Sequence, residues 1–189
     1  MGLTWDGRTL WESDFTNAKI YQIDPATGTG IRSLTSPAAQ PRGLAWDGRT
    51  LWNADSLSFL IYQLDPATGR VIRSFATPAG GPTGLVWGGR VLWHCDYSTS
   101  RIYQIDPATG RVIRSFAGPA GSHHGLAWTG RTLYLIVYDL RLIYQLDPVT
   151  GSVIRSFAAP GVTPVTLVWD GRTLWVADFS TGIIYQISV

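Results

Sequence analysis

His94, Cys95 and Asp96 are consecutive, and His123 and His124 follow further along the chain. Imidazole, thiolate and carboxylate are the ligand types of a zinc site. The chain has no dedicated ligand spacing, however, and consecutive residues on a strand point to opposite faces. The reading therefore assigns no metal and no cofactor; an ion held here would use His94, Asp96, His123 and His124. Carboxylates also recur at one place in successive stretches, as Asp14, Asp55, Asp96 and Asp178. Such a ring could collect a divalent cation. The simpler role for each is to accept backbone N–H bonds in its own loop, and the fourth stretch has Val137 instead. There is no glycine-rich phosphate loop and no facing pair of base and nucleophile.

These residues belong to a repeat. Gly43-Leu44-Ala45-Trp46-Asp47-Gly48-Arg49-Thr50-Leu51-Trp52 returns in variant form from residues 2, 84, 125 and 166, a constant spacing of 41 residues. Within one copy, Leu44 to Trp46 is a short apolar run and Asp47-Gly48 a hairpin signal. A two-residue turn there would set Trp46 opposite Arg49, as a cation–π pair, and Gly43 opposite Trp52. Further strands are predicted from Arg49 to about Asp55, at Ile61 to Leu64, and at Val71 to Phe75. Asp65-Pro66-Ala67-Thr68-Gly69 reads as pure turn chemistry between the last two. Four antiparallel strands per repeat of this length form a blade of a β-propeller. The expected fold is all-β, a single domain of five near-identical blades at 2–42, 43–83, 84–124, 125–165 and 166–189.

The last copy stops after its third strand, so blade five should lack its outer strand. With no strand expected before Gly2 to be lent to it, closure should rest on side-chain packing against blade one. Residues 183–187 would then be an open apolar edge through which copies of the chain could associate. The alternative architecture is an open fragment that assembles with copies of itself into a larger ring.

Nine Trp, eight Tyr and only 15 % charged residues describe a compact folded body. The net charge of +2 is spread evenly over the repeats, so no nucleic-acid partner is expected. No apolar run approaches the ~18 residues of a membrane span, and the repeat begins at Gly2, so neither a membrane partner nor a signal peptide is expected. With one cysteine, Cys95, the chain can form no internal disulfide.

A site needs the symmetry to be broken. With the two-residue turn, the outermost pairs are Met1 with Glu12, Arg42 with Asn53, Thr83 with His94, His124 with Leu135, and Val165 with Val176. They would ring the mouth of the central channel, polar on one side and apolar on the other. Glu12, Arg42, Asn53, Thr83, His94 and His124 are thus the candidate residues for a small ligand or peptide; free drift of loop-adjacent positions is the bland alternative.

The pattern Gly-Leu-Ala-Trp-Asp-Gly, Leu-Trp-x-Ala-Asp, Ile-Tyr-Gln-Leu-Asp-Pro-x-Thr-Gly resembles blades of NHL and gluconolactonase-like propellers. More narrowly, Leu10-Trp11-Glu12-Ser13 and Tyr21 to Gly28 are similar to segments of the five-bladed glutaminyl-peptide cyclotransferases of plant and bacterial type. That resemblance implies a channel-mouth glutamate as general acid/base, a role that falls on Glu12, with Arg42 and Asn53 available as donors. The family's Phe-Thr-Gln segment before Gly-Leu is absent. The near-identity of the blades points to amplification, or construction, from one blade. The reading is therefore a non-enzymatic scaffold or binding module with any ligand at the mouth; the alternative is a cyclotransferase-like enzyme using Glu12.

Overall fold

A computed structural model describes residues 1–189, which form strands and turns with no helix. Blade one holds β1 (Leu3–Trp5), β2 (Leu10–Asp14), β3 (Lys19–Ile23) and β4 (Gly30–Thr35). Blade two holds β5 (Pro41–Trp46), β6 (Leu51–Asp55), β7 (Leu60–Leu64) and β8 (Val71–Ala76). Blade three holds β9 (Pro82–Trp87), β10 (Leu92–Asp96), β11 (Arg101–Ile105) and β12 (Val112–Ala117). Blade four holds β13 (His123–Trp128), β14 (Leu133–Val137), β15 (Leu142–Leu146) and β16 (Val153–Ala158). Blade five has only β17 (Pro164–Trp169), β18 (Leu174–Asp178) and β19 (Ile184–Ile187). Every sheet is an antiparallel meander in chain order. The protein is a five-bladed propeller whose last blade lacks its outer strand. No helix is long and apolar enough to cross a membrane.

The core lies between blades. Trp52, Ala54 and Ile61 of blade two bury against Leu85, Leu92 and Tyr103 of blade three, and equivalent clusters join the blades on either side. The seam closes the same way, with Val168, Trp175 and Ile184 of blade five against Leu3, Leu10 and Ile23 of blade one. No borrowed strand is needed.

The first hairpin differs from the sequence reading. Trp46 pairs with Leu51, Ala45 with Trp52 and Leu44 with Asn53, so Asp47 to Thr50 is a four-residue loop closed by Asp47 N–H donating to Thr50 C=O at 3.2 Å. The Asp47 carboxylate decides this. It accepts Arg49 N–H at 2.8 Å, Thr50 N–H at 2.6 Å and the Trp52 indole N–H at 2.8 Å. Asp6 and Asp170 do the same in blades one and five. A bulge between Pro41 and Leu44 then absorbs one residue, so Arg42 does not face Asn53.

The predicted Arg49–Trp46 contact is replaced by another. Arg73 of β8 lies 5.3 Å from the Trp52 ring centre, with Arg32 over Trp11 and Arg114 over Trp93 at 5.2 and 5.4 Å. Each of these arginines also reaches the next blade's Asp-Pro turn: Arg32 donates to Pro66 and Ala67 C=O at 2.8 and 3.1 Å, and Arg73 to Ala108 C=O at 3.0 Å. Those turns therefore latch blade to blade and are more than chain reversals.

Gly43 does not sit beneath Trp52. It touches the next blade's inner strand: a Cβ there would lie 2.6 Å from Leu85 N and 2.7 Å from Thr83 O. Gly2, Gly84 and Gly125 repeat this close approach, and Thr166 takes the place at the seam. We expect Gly43→Ala to cost about 2 kcal/mol in chemical denaturation, because backbone must move to admit the methyl group. Gly30→Ala, with nothing within 4 Å and no positive φ, should be neutral or stabilising.

Candidate functional site

The bulge separates the predicted ring into two sets. Met1, Arg42, His124 and Val165 do converge at the channel mouth, around a cavity of about 240 Å³. Thr83 is buried instead, donating to His123 C=O at 2.8 Å. Asn53, His94, Leu135 and Val176 are all fully buried and do not line the mouth. Leu135 and Val176 belong to the clusters between blades, and Asn53 and His94 share their register. Asn53 donates to Gly43 C=O at 3.1 Å, and His94 Nδ1 bonds Gly84 C=O at 2.9 Å, with its ring stacked on Tyr103. Asn53 Oδ1 and His94 Nε2 are left buried and unpaired.

Three further residues complete the mouth: Phe15, Tyr138 and Phe179. Each follows the strand-end position 14, 137 or 178, and Tyr97 occupies the same place in blade three. Aromatic character one residue beyond this strand-end position, in four copies of five, is the sequence signal for them. Phe15 and Phe179 meet across the seam at 5.7 Å, and His124 stacks on Tyr138 at 4.8 Å.

Arg42 lies over Phe15, 4.6 Å from the ring centre, and its Nε donates to Ser56 Oγ at 3.3 Å. Burial lowers its pKa, opposed by Tyr97 and Asp55 through space. Guanidinium remains charged, so this is a partly desolvated cation with no carboxylate bonded to it. His124 is pushed down to about 4 by burial, then by Arg42 and the Met1 amine, and is neutral at pH 7.

Glu12 occupies the blade-one counterpart of Asn53 and His94, at the seam with blade five. It lines a cavity of about 190 Å³ with Met1, Asp14, Phe15, Tyr21 and Phe179, adjoining the mouth through Met1 and the two phenylalanines. Burial raises its pKa; the Met1 amine opposes this and Asp14 adds to it. Glu12 and Arg42 thus border neighbouring cavities, and Asn53 borders neither.

The metal candidates are occupied separately. Asp96 accepts Gly81 N–H at 2.6 Å, Ser98 Oγ–H at 2.6 Å and Thr99 N–H at 2.9 Å, while His123 Nε2 bonds Pro119 C=O at 2.7 Å. Cys95 is buried, with its thiol pushed up to about 12 by burial. No three His, Cys, Asp or Glu side chains gather closely enough to hold an ion. Asp14, Asp55 and Asp178 likewise each bond their own loop N–H groups.

No protein-family model and no curated protein matches the sequence. Solved structures do match. Myxococcus xanthus glutaminyl cyclase superposes with a TM-score of 0.79 at 14 % identity, over 100 % of this chain and 84 % of that one. A chain of the nidogen/laminin complex gives 0.72 at 19 %, over 100 % and 75 %. Virginiamycin B lyase from Staphylococcus aureus gives 0.64 at 18 %, over 96 % and 62 %. At these identities the likeness is one of fold.

His94, fully buried, is held down to about 4 by desolvation, as His124 is. Between their ordinary value of 6.5 and about 4 the unfolded chain binds more protons than the folded one. Burial also lowers His123 and the Met1 amine, the latter from 8.0 to about 5, so stability falls as pH falls through this range with at least four groups contributing. His94→Leu, which installs blade four's residue at this position, should reduce that slope by roughly a quarter in urea titrations from pH 7 to 4.5 and leave stability at pH 7 equal or higher.

Proposed function

We propose that this protein is a non-enzymatic binding propeller that takes a small ligand at the channel mouth, an anionic group on an apolar or aromatic body. The observation that carries this reading is Arg42: a partly buried cation, resting on Phe15, opening onto a cavity of about 240 Å³ with no carboxylate bonded to it. A ligand carboxylate would supply the missing charge-assisted bonds, and Phe179, Tyr138 and Val165 would cover its apolar part. The near-identity of the blades supports a scaffold role, since the fivefold positions serve construction. Titration with N-acetylphenylalanine, or with an aromatic sulfonate dye as reporter, should give saturable binding. Arg42→Gln should weaken it about tenfold, near 1.4 kcal/mol. Equal affinity in the variant, or no binding by any aromatic anion, would remove this reading.

One observation favours a second reading. Glu12 borders a cavity adjoining the mouth with its carboxyl pKa raised by burial, in a fold like that of a glutaminyl cyclase. A carboxyl so tuned suits proton transfer from the α-amine of an N-terminal glutamine as ammonia departs. On this reading, ammonia release from a Gln-initiated peptide is lost in Glu12→Gln. Release no faster than background in both proteins eliminates it.

A further inference from the structure

In blades one to four the fourth strand is held by one arginine and one apolar side chain. Arg32, Arg73, Arg114 and Arg155 donate Nε–H to Gln22, Gln63, Gln104 and Gln145 Oε1 of the third strand at 2.7 to 2.8 Å. Two residues on, Leu34, Phe75, Phe116 and Phe157 pair with a fully buried isoleucine. The phenylalanine ring also fills the space over a turn glycine of the next blade. A Cβ on Gly110 or Gly151 would stand 2.5 Å from Phe75 or Phe116.

Blade five has the receiving half of this arrangement. Gln186 donates to Thr173 Oγ1 at 2.9 Å, as Gln22 and Gln63 donate to Thr9 and Thr50, which leaves its Oε1 free of arginine. Trp175 is anchored by Asp170 and has no cation over it. Gly28, the blade-one counterpart of Gly110, has nothing within 4 Å. Ile184 is partly exposed where Ile20, Ile61, Ile102 and Ile143 are fully buried. Between these groups runs a groove of about 250 Å³ whose lining includes Glu12, Asp24, Pro25, Gly28, Trp175 and Ile184.

We propose that the open edge of blade five is a docking site for an extended segment of another polypeptide with the pattern apolar–apolar–Arg–small–aromatic, added antiparallel as that blade's fourth strand. The repeat dictates the register: arginine opposite Gln186, the small residue opposite Tyr185 and the aromatic residue opposite Ile184. Backbone bonds to the edge supply general affinity, and the two side chains supply selection. The guanidinium reaches the Pro25 and Ala26 carbonyls beside the Asp24 carboxylate, as Arg73 reaches Ala108 beside Asp106. That is a charge match. A second copy of this chain would offer Ile184-Tyr185-Gln186-Ile187, which has no arginine for Gln186. The edge is therefore assigned to the arginine-bearing segment in preference to self-association.

The test titrates the intact chain with a capped synthetic peptide, Arg-Val-Ile-Arg-Ser-Phe-Ala-Thr, the sequence of residues 70–77. We expect one-to-one saturation, with amide NMR shifts confined to residues 183–187 and the 24–28 turn. Replacing the peptide's central arginine or its phenylalanine by alanine should each weaken binding at least about tenfold. Gln186→Pro should abolish binding with the fold kept, since in this register the Gln186 N–H points out of the sheet edge. No saturation at millimolar peptide, equal binding of a scrambled peptide, or a dimer through residues 183–187 that the peptide fails to dissociate would each overturn the proposal.

Discussion

Neighbouring inner strands approach so closely that a methyl group does not fit between them at Gly2, Gly43, Gly84 or Gly125. Everything else follows from holding blades at that distance. In blades one to four the inner strand must present glycine, the second strand must carry a large ring to fill the widening wedge, and the ring must be held. Asp6, Asp47 and Asp170 hold it from the hairpin loop by bonding the indole N–H, and in blades one to three a fourth-strand arginine covers its face. Blade three shows the aspartate to be separable from the rest. With Gly88 in its place, the Trp93 Nε1 stands 2.7 Å from where a Cβ would lie, and Arg114 still lies over the ring.

The period, the strand count, the missing outer strand and closure by packing were all legible in the sequence, because they depend on spacing and on apolar alternation. The register was not. Asp-Gly announces a turn without announcing its length, and only the convergence of Arg49 N–H, Thr50 N–H and the Trp52 indole on one carboxylate selects four residues. That choice and its compensating bulge moved Asn53 and His94 from the supposed mouth into the packing between blades. Arg42 and His124 stayed at the mouth because they lie on the other side of the bulge. The arginine latch was hidden for another reason: Arg32 and Pro66 are 34 residues apart, in different blades.

The proposed binding and docking roles rest on two places where repetition fails. At the mouth, the residue after the strand-end position varies among Phe15, Ser56, Tyr97, Tyr138 and Phe179, and Arg42 is a lone bulky cation. At the seam, the only glutamate in the chain, Glu12, takes the position filled elsewhere by buried Asn, His, Leu or Val. The buried unpaired atoms of Asn53 and His94 are the mark of the same drift inside the core, where it costs stability without creating an opening.

All of this requires that one chain closes its own ring, with Val168, Trp175 and Ile184 meeting Leu3, Leu10 and Ile23 inside a single molecule. Solution mass by light scattering across a wide concentration range tests that most directly. A ring closed by one chain gives 20.7 kDa throughout. A stable multiple of that mass, persisting on dilution and in Gln186→Pro, which blocks pairing along the 183–187 edge, would show that the seam is shared between copies and would contradict single-chain closure.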